Sequence, residues 1–362
     1  MVRITPGTPA DGGSRLRRMK RSLAAPSLLI GLAACGGGGD GGPGPTPSPG
    51  QTLLSSTGLY TNIATQQIDP RNRFFAPQYV LWSDNGDKRR WIFLPPQTQI
   101  DTSDMNRWVF PVGTKIWKEF VFQGRRVETR LIEKTVAGAN LGAWTLRTFQ
   151  WRSDGSDAVL TPAEGALDVA STDFGTAHDL PSQAQCMQCH DRGGDAPLGF
   201  SALQLSDDLD PLAERPAESV TLNGLGAQGL LTRLPTGEPR IAADTPAGRV
   251  AMGYLHSNCG NCHNPRGRAA FLGLDLFHRE GTSSEREEQA YRTSVNRLAA
   301  AYVIPGLSAS QSYLIRPGSL QQSAVLVRMN HRNDTHAMPP IASEAVDAEG
   351  VRFVADWVRR VR

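Results

Sequence analysis

Apolar and polar positions alternate with a period near two over much of residues 79–151, the pattern of half-buried strands. Tyr79–Trp82 and Arg90–Leu94 flank Asp84-Asn85-Gly86-Asp87, turn residues between two apolar runs, which predicts a hairpin. Trp108–Phe110, Lys115–Phe122, Arg126–Lys134 and Trp144–Trp151 read as further strands, with turns at Gln123-Gly124 and Asp154-Gly155. Six of the seven tryptophans (Trp82, Trp91, Trp108, Trp117, Trp144 and Trp151) fall in this stretch, where they are expected to form core. Short strands at this spacing predict an all-β sandwich or jelly-roll-like domain over residues 55–170. Lys88-Arg89-Arg90 and Arg125-Arg126 read as solvated charge runs.

After about residue 171 the pattern changes. Residues 203–231 look helical in pieces, interrupted by Pro211, Pro216 and several glycines. Thr245 followed by Pro246 is a helix start, the hydroxyl as cap and the proline at the first helical position. Val351, Val354, Trp357, Val358 and Val361 have helical spacing, so a C-terminal helix is expected from about Asp347.

The N-terminus has a different character. Arg15, Arg17, Arg18, Lys20 and Arg21 precede an apolar, small-residue stretch from Leu23 to Ala34, and then Cys35. Basic region, apolar region and small-residue site read as an export signal. The run Leu32-Ala33-Ala34-Cys35 resembles a bacterial lipoprotein signal, which implies removal of residues 1–34 and lipidation of Cys35. Met19 is a candidate start beside Met1, since Met19-Lys20-Arg21 alone supplies the basic region. Residues 35–54 are mostly Gly and Pro, a tether spanning roughly 20 Å over fifteen residues. The expected location is the bacterial cell envelope, lipid-anchored on the periplasmic side, with the outer membrane the favoured membrane.

That segment alters the charge. The chain carries 38 Lys and Arg against 35 Asp and Glu, a net of +3. Residues 1–34 hold six of the basic residues and one acid, so the remainder has 32 basic against 34 acidic residues, a net of −2. A basic nucleic-acid-binding surface is not indicated, and no nucleic-acid partner is expected.

Beyond Cys35 four cysteines remain, in Cys186-Met187-Gln188-Cys189-His190 and Cys259-Gly260-Asn261-Cys262-His263. Cys-x-x-Cys-His is the attachment signature of c-type haem. Two thiols bind the porphyrin edge, and the adjacent histidine reaches the iron. A zinc ribbon fits poorly, because 69 residues separate the pairs. Redox or structural disulfides leave both histidines unexplained. The expected cofactors are therefore two haem c groups with iron, Cys186 and Cys189 holding one, Cys259 and Cys262 the other. His190 and His263 are the axial ligands.

The first motif has no obvious second axial ligand, since residues 191–251 contain neither His nor Met. Met252, His256 and His178 are the candidates, and a five-coordinate iron is the alternative. Copper in the β-rich stretch is not expected, because residues 51–165 contain no His or Cys.

Residues 246–362 resemble monohaem cytochrome c: an N-terminal helix, the attachment motif, Met338-Pro339-Pro340, and a C-terminal helix with an aromatic residue. The resemblance implies that Met338 is the distal ligand opposite His263, with Met329, His331 and His336 as nearby reserves. The separation of 75 residues between His263 and Met338 is long for the type, so residues 275–325 are expected to hold an insertion. Across residues 55–362, Leu81-Trp82-Ser83-Asp84-Asn85-Gly86, Phe110-Pro111-Val112-Gly113-Thr114-Lys115, Glu128-Thr129-Arg130-Leu131 and Tyr254-Leu255-His256-Ser257-Asn258-Cys259 look like an uncharacterised family of exported bacterial dihaem c-type cytochromes. Its members are often lipoproteins encoded beside a parallel β-helix protein, which implies such a partner.

The expected organisation is a signal at 1–34, lipidated cysteine and linker at 35–54, the β domain at 55–170, and two mainly α cytochrome c-like units at 171–245 and 246–362. The expected function is membrane-tethered electron transfer with periplasmic redox proteins as partners. A dihaem enzyme, peroxidase-like or substrate-oxidising, is the alternative, motivated by the missing ligand. No independent catalytic set appears in the sequence.

Overall fold

The structure is a computed structural model that describes residues 52–192, 194–332 and 334–362. The signal-like segment, both candidate starts, Cys35 and most of the linker lie outside the described residues.

Ten strands come first. β1 (Tyr60–Asn62) and β2 (Gln67–Ile68) form a small hairpin. β3 (Arg73–Phe74), β4 (Asp87–Phe93), β5 (Lys115–Phe122), β6 (Arg125–Lys134), β7 (Trp144–Trp151) and β8 (Ala158–Leu160) form one antiparallel sheet in sequence order. β9 (Ala166–Ser171) and β10 (Ala177–Leu180) form a second hairpin. Seven helices come after them among the described residues: α1 (Gln183–His190), α2 (Ala202–Leu205), α3 (Leu222–Ala227), α4 (Pro246–Asn258), α5 (Gln289–Ser294), α6 (Ala324–Met329) and α7 (Ala348–Arg360).

The strand alternation sorts the sheet into two faces. Trp91, Trp117 and Leu131 oppose one another on one face, with Phe149 and Trp151 beside them. This face is covered by Leu54, Leu59 and Tyr60, and the Trp117 indole donates to Thr57 Oγ1 at 3.1 Å. Ile92, Ile116, Ile132 and Leu146 form a cross-strand row on the other face. Against the core beneath that row pack Phe200, Leu205, Leu222 and Leu225 from beyond residue 170. A further core joins α4 to α7 through Met252, Leu255, Val354, Trp357 and Val358. Both long helices carry the expected caps: Thr245 Oγ1 accepts from Gly248 N, and Asp347 Oδ1 from Gly350 N.

Three expectations are corrected. The β-rich part is one six-stranded sheet, not a sandwich or jelly roll; its second layer is helix and loop. The rest of the chain does not form two mainly α cytochrome c-like units. Residues 171–245 contribute the β10 strand and helices of eight, four and six residues. Their apolar side chains complete the sheet's core rather than a helical core of their own. In residues 246–362 only α4 and α7 reach 13 residues. Long stretches between them are loop and turn.

The third correction concerns the hairpin. β4 forms, but Tyr79–Trp82 is not its partner strand; β3 is. The Tyr79–Trp82 backbone finds its partners on α2 and α4 instead: Tyr79 N donates to Gln204 Oε1 at 2.9 Å. Val80 O accepts from Ser257 Oγ, and Trp82 N donates to Asn258 Oδ1 at 2.8 Å. Gly253 makes this approach feasible, because a Cβ there would lie 1.9 Å from the Tyr79 ring.

Candidate functional site

The first motif is placed by a short helix with strong local signals. Ser182 caps α1 by accepting from Gln185 N, and the Gln185 side chain returns a bond to Ser182 N. Cys186, Cys189 and His190 then occupy the helix's C-terminal half. All three line a cavity of about 310 Å³ between this helix and the sheet.

The His190 imidazole is fixed. Its Nδ1–H donates to Ala196 O at 2.7 Å, which leaves the Nε2 lone pair free for a metal. Burial drives its pKa down to about 4, so the ring is neutral at pH 7. The carbonyl is held in turn by its neighbour: Asp195 accepts from Lys134 Nζ (2.7 Å), Phe110 N (2.7 Å) and Trp144 Nε1 (3.0 Å). The sheet therefore positions the loop that orients the imidazole.

The cavity floor is the sheet. One row is apolar, Ile116–Ile132–Leu146, and the next is Arg90–Lys118–Arg130–Thr148. Arg90, Lys118 and Arg130 all line the cavity. Arg130 pairs with Glu128, Nη2 to Oε2 at 2.9 Å. Among the described residues no carboxylate pairs with Arg90 or Lys118. Burial, reinforced by Arg90 and Arg130, pushes Lys118 far below an ordinary lysine. Burial alone takes Arg90 down to about 10. The expectation of a solvated Lys88-Arg89-Arg90 run is thus corrected: Arg90 is only 6 % exposed. Arg126 is likewise not freely solvated, since its guanidinium stacks 3.9 Å from the Trp151 ring centroid.

The three candidates for a second ligand at the first motif are all otherwise engaged. Met252 is 2 % exposed and packs in the α4–α7 core, away from the cavity lining. His178 lines the cavity, but its Nε2 bonds Glu128 Oε2 at 3.1 Å and its ring lies 4.7 Å from Phe122. His256 also lines the cavity, and its Nδ1 accepts from His278 N at 3.1 Å. A neutral imidazole accepting at Nδ1 carries its proton on Nε2, so His256 offers the cavity a donor rather than a metal ligand. Burial keeps it neutral, far below the usual histidine pKa.

The second motif begins where α4 ends, with Cys259 as the C-cap. His263 is buried, and burial, with the Arg328 charge nearby, lowers its pKa to about 4. Its Nδ1 has no protein partner, unlike His190. Arg328 also holds the loop that carries Met338: Nε donates to His336 O at 2.9 Å, and Arg328 O accepts from Met338 N at 3.1 Å. Met338 is therefore in a loop tied to a residue whose charge reaches His263. Met329 is buried in the α4–α7 core. His331 Nδ1 bonds Asp334 Oδ2 at 2.8 Å and His336 Nδ1 bonds Tyr302 OH at 3.1 Å. The chain after Met338, Pro340 to Glu344, runs on into the wall of the first cavity.

The two motifs meet. The Cys189 and Cys262 thiols are neighbours, and their interaction raises the Cys189 pKa and lowers that of Cys262. Cys262 Sγ also lies 3.6 Å from Gln188 O. All four thiols are free, and burial pushes Cys259 up to about 12 and Cys186 upward too. Among the described residues no three His, Cys, Asp or Glu side chains converge as they would around a bare metal ion.

The residues present fit a haem at the first motif. Two free thiols and a neutral imidazole with an open Nε2 face one cavity, and that cavity has an apolar floor beside a cationic one. Sequence reading missed the floor and the Asp195–Ala196 support. The signal existed: Ile92, Ile116 and Ile132 share a strand parity with Arg90, Lys118 and Arg130, opposite to that of Trp91, Trp117 and Leu131. No family model, curated protein or solved structure matches the chain.

Proposed function

We propose that this protein is a dihaem c-type cytochrome that moves single electrons, with one haem held by Cys186, Cys189 and His190 and the other by Cys259, Cys262, His263 and Met338. The observation that carries the reading is the meeting of two attachment motifs, Cys189 against Cys262, beside a cavity into which His190 presents a neutral imidazole with its Nδ1–H already engaged. A haem at each motif supplies one-electron iron chemistry. The chain holds the groups through thioethers, orients His190 through Ala196 O, and shields the first site with the sheet. Residues 1–54 fit a lipid-tethered, periplasmic location with redox proteins as partners, among them a parallel β-helix protein. Electron paramagnetic resonance of the oxidised, purified protein tests the reading, together with the haem absorbance that persists after denaturation. Absence of covalently retained haem refutes it.

One observation favours a second reading. Met252, His178 and His256 are all engaged elsewhere, which favours a first iron open to an external ligand and a redox enzyme rather than a carrier. Carbon monoxide titration separates the two: a spectral change at one haem supports the enzyme, and low-spin, unreactive irons support the carrier.

A further inference from the structure

The register of β4, β5 and β6 sets Arg90 opposite Lys118 and Lys118 opposite Arg130 on one face of the sheet. Like charges directly opposite across strands destabilise a sheet. Within this row Arg90 is buried, 6 % exposed, while Lys118 and Arg130 are half-buried, and all three floor the first cavity. Among the described residues Glu128 is the one acid ion-paired with the row. Glu128 is shared between Arg130 and His178, and no ion pair reaches Arg90 or Lys118 among the described residues. Asp84, Asp179 and Glu344 also line the cavity, but Asp84 accepts from the backbone of Glu344 and Ala345. Asp179 accepts from Asp168 N. Three converging cations with one paired carboxylate make a row that is complete only when an anion with planar oxygen acceptors lies on it.

We propose that Arg90, Lys118 and Arg130 form a carboxylate-binding seat on the floor of the first cavity. This rests on the haem reading only for where one source of the carboxylate lies. The carboxylate is either a propionate of the haem at Cys186 and Cys189, or that of a free small organic acid. In both cases the apolar row Ile116–Ile132–Leu146 takes the hydrocarbon beside it.

The sign of a stability change tests it. With nothing seated, Lys118→Met removes cross-strand repulsion and raises the urea midpoint of the purified holoprotein. With a carboxylate seated, the same change lowers the midpoint, and Arg90→Gln does so too. A fall in both variants that sodium acetate does not alter identifies the propionate. A wild-type midpoint that rises with acetate, and a Lys118→Met midpoint that does not, identifies a free carboxylate. A midpoint that rises or stays unchanged in both variants, with no response to acetate, overturns the proposal. Covalent haem measured on the same samples reports separately on the haem reading, and the acetate comparison decides the seat even where that reading fails.

Discussion

Asp195→Asn tests the link between the sheet and the first motif most directly. The Asp195 carboxylate and the Lys134 ammonium are each 1 % exposed and lie 2.7 Å apart. The same carboxylate takes the Phe110 N–H and the Trp144 indole N–H. Asparagine keeps the shape and one acceptor oxygen but leaves the Lys134 charge buried without a counter-ion. Breaking a buried pair from one side costs about 3–5 kcal/mol, most of it the unpaired charge. With a urea slope of about 3 kcal/mol/M, the midpoint falls by more than about 1 M. Equilibrium unfolding of the full holoprotein, followed by tryptophan fluorescence, measures it. Lys134→Met in the Asp195→Asn background removes the stranded charge and restores much of the loss, so the double-mutant cycle shows coupling well above 1 kcal/mol. On the proposed haem reading, because Ala196 O orients His190, the spectrum of the first haem broadens in Asp195→Asn and recovers less in the double variant than stability does. A loss below about 1 kcal/mol, or purely additive effects, refutes the account.

Three further outcomes are expected from the same structure. If the proposed dihaem reading holds, Met338→Ala changes the spectrum of one haem while leaving the other intact; unchanged spectra for both exclude Met338 as a ligand. Gly253→Ala puts a Cβ 1.9 Å from the Tyr79 ring, so thermal melting records a loss of at least about 1–3 kcal/mol, and a wild-type melting temperature refutes the close packing. His278 lies between Glu280 and Glu288; burial opposes its charge, but bonds to both carboxylates win and raise its pKa to about 9. Its folded-state pKa exceeds the unfolded value near 6.5, so its stabilisation is complete below about pH 6.5 and is lost as pH rises through about 9. The loss is on the order of 3 kcal/mol at most, read as the difference between wild-type and His278→Gln urea midpoints, and a constant difference over that range contradicts it.

Local chemistry was legible in the chain. Alternation located β5, β6 and β7 to within a residue or so, and the Thr245-Pro246 and Asp347 caps located α4 and α7, because strand parity and helix capping are set by neighbours a few positions apart. The spacing of Cys186, Cys189 and His190, repeated at Cys259, Cys262 and His263, singled out one chemistry, since such motifs act through local covalent geometry.

What covers each face was not legible. Tyr79–Trp82 has a strand's composition, yet its backbone partners are Gln204, Ser257 and Asn258, 125 to 177 residues away. The apolar residues of 196–231 suggested a haem unit of their own, yet they complete the core of the sheet. Sequence pattern states that a face is apolar; only packing decides which distant segment covers it. The same holds for charge. Lys88-Arg89-Arg90 is an ordinary surface run until the register of three strands buries Arg90 beside Lys118 and Arg130. The chain by itself determined the two Cys-x-x-Cys-His motifs and the strand parity. Tertiary structure alone decided that the two motifs touch through Cys189 and Cys262, that His190 is oriented by a loop held from the sheet, and that three cations share one floor. Those contacts join residues far apart in sequence, where no local propensity acts.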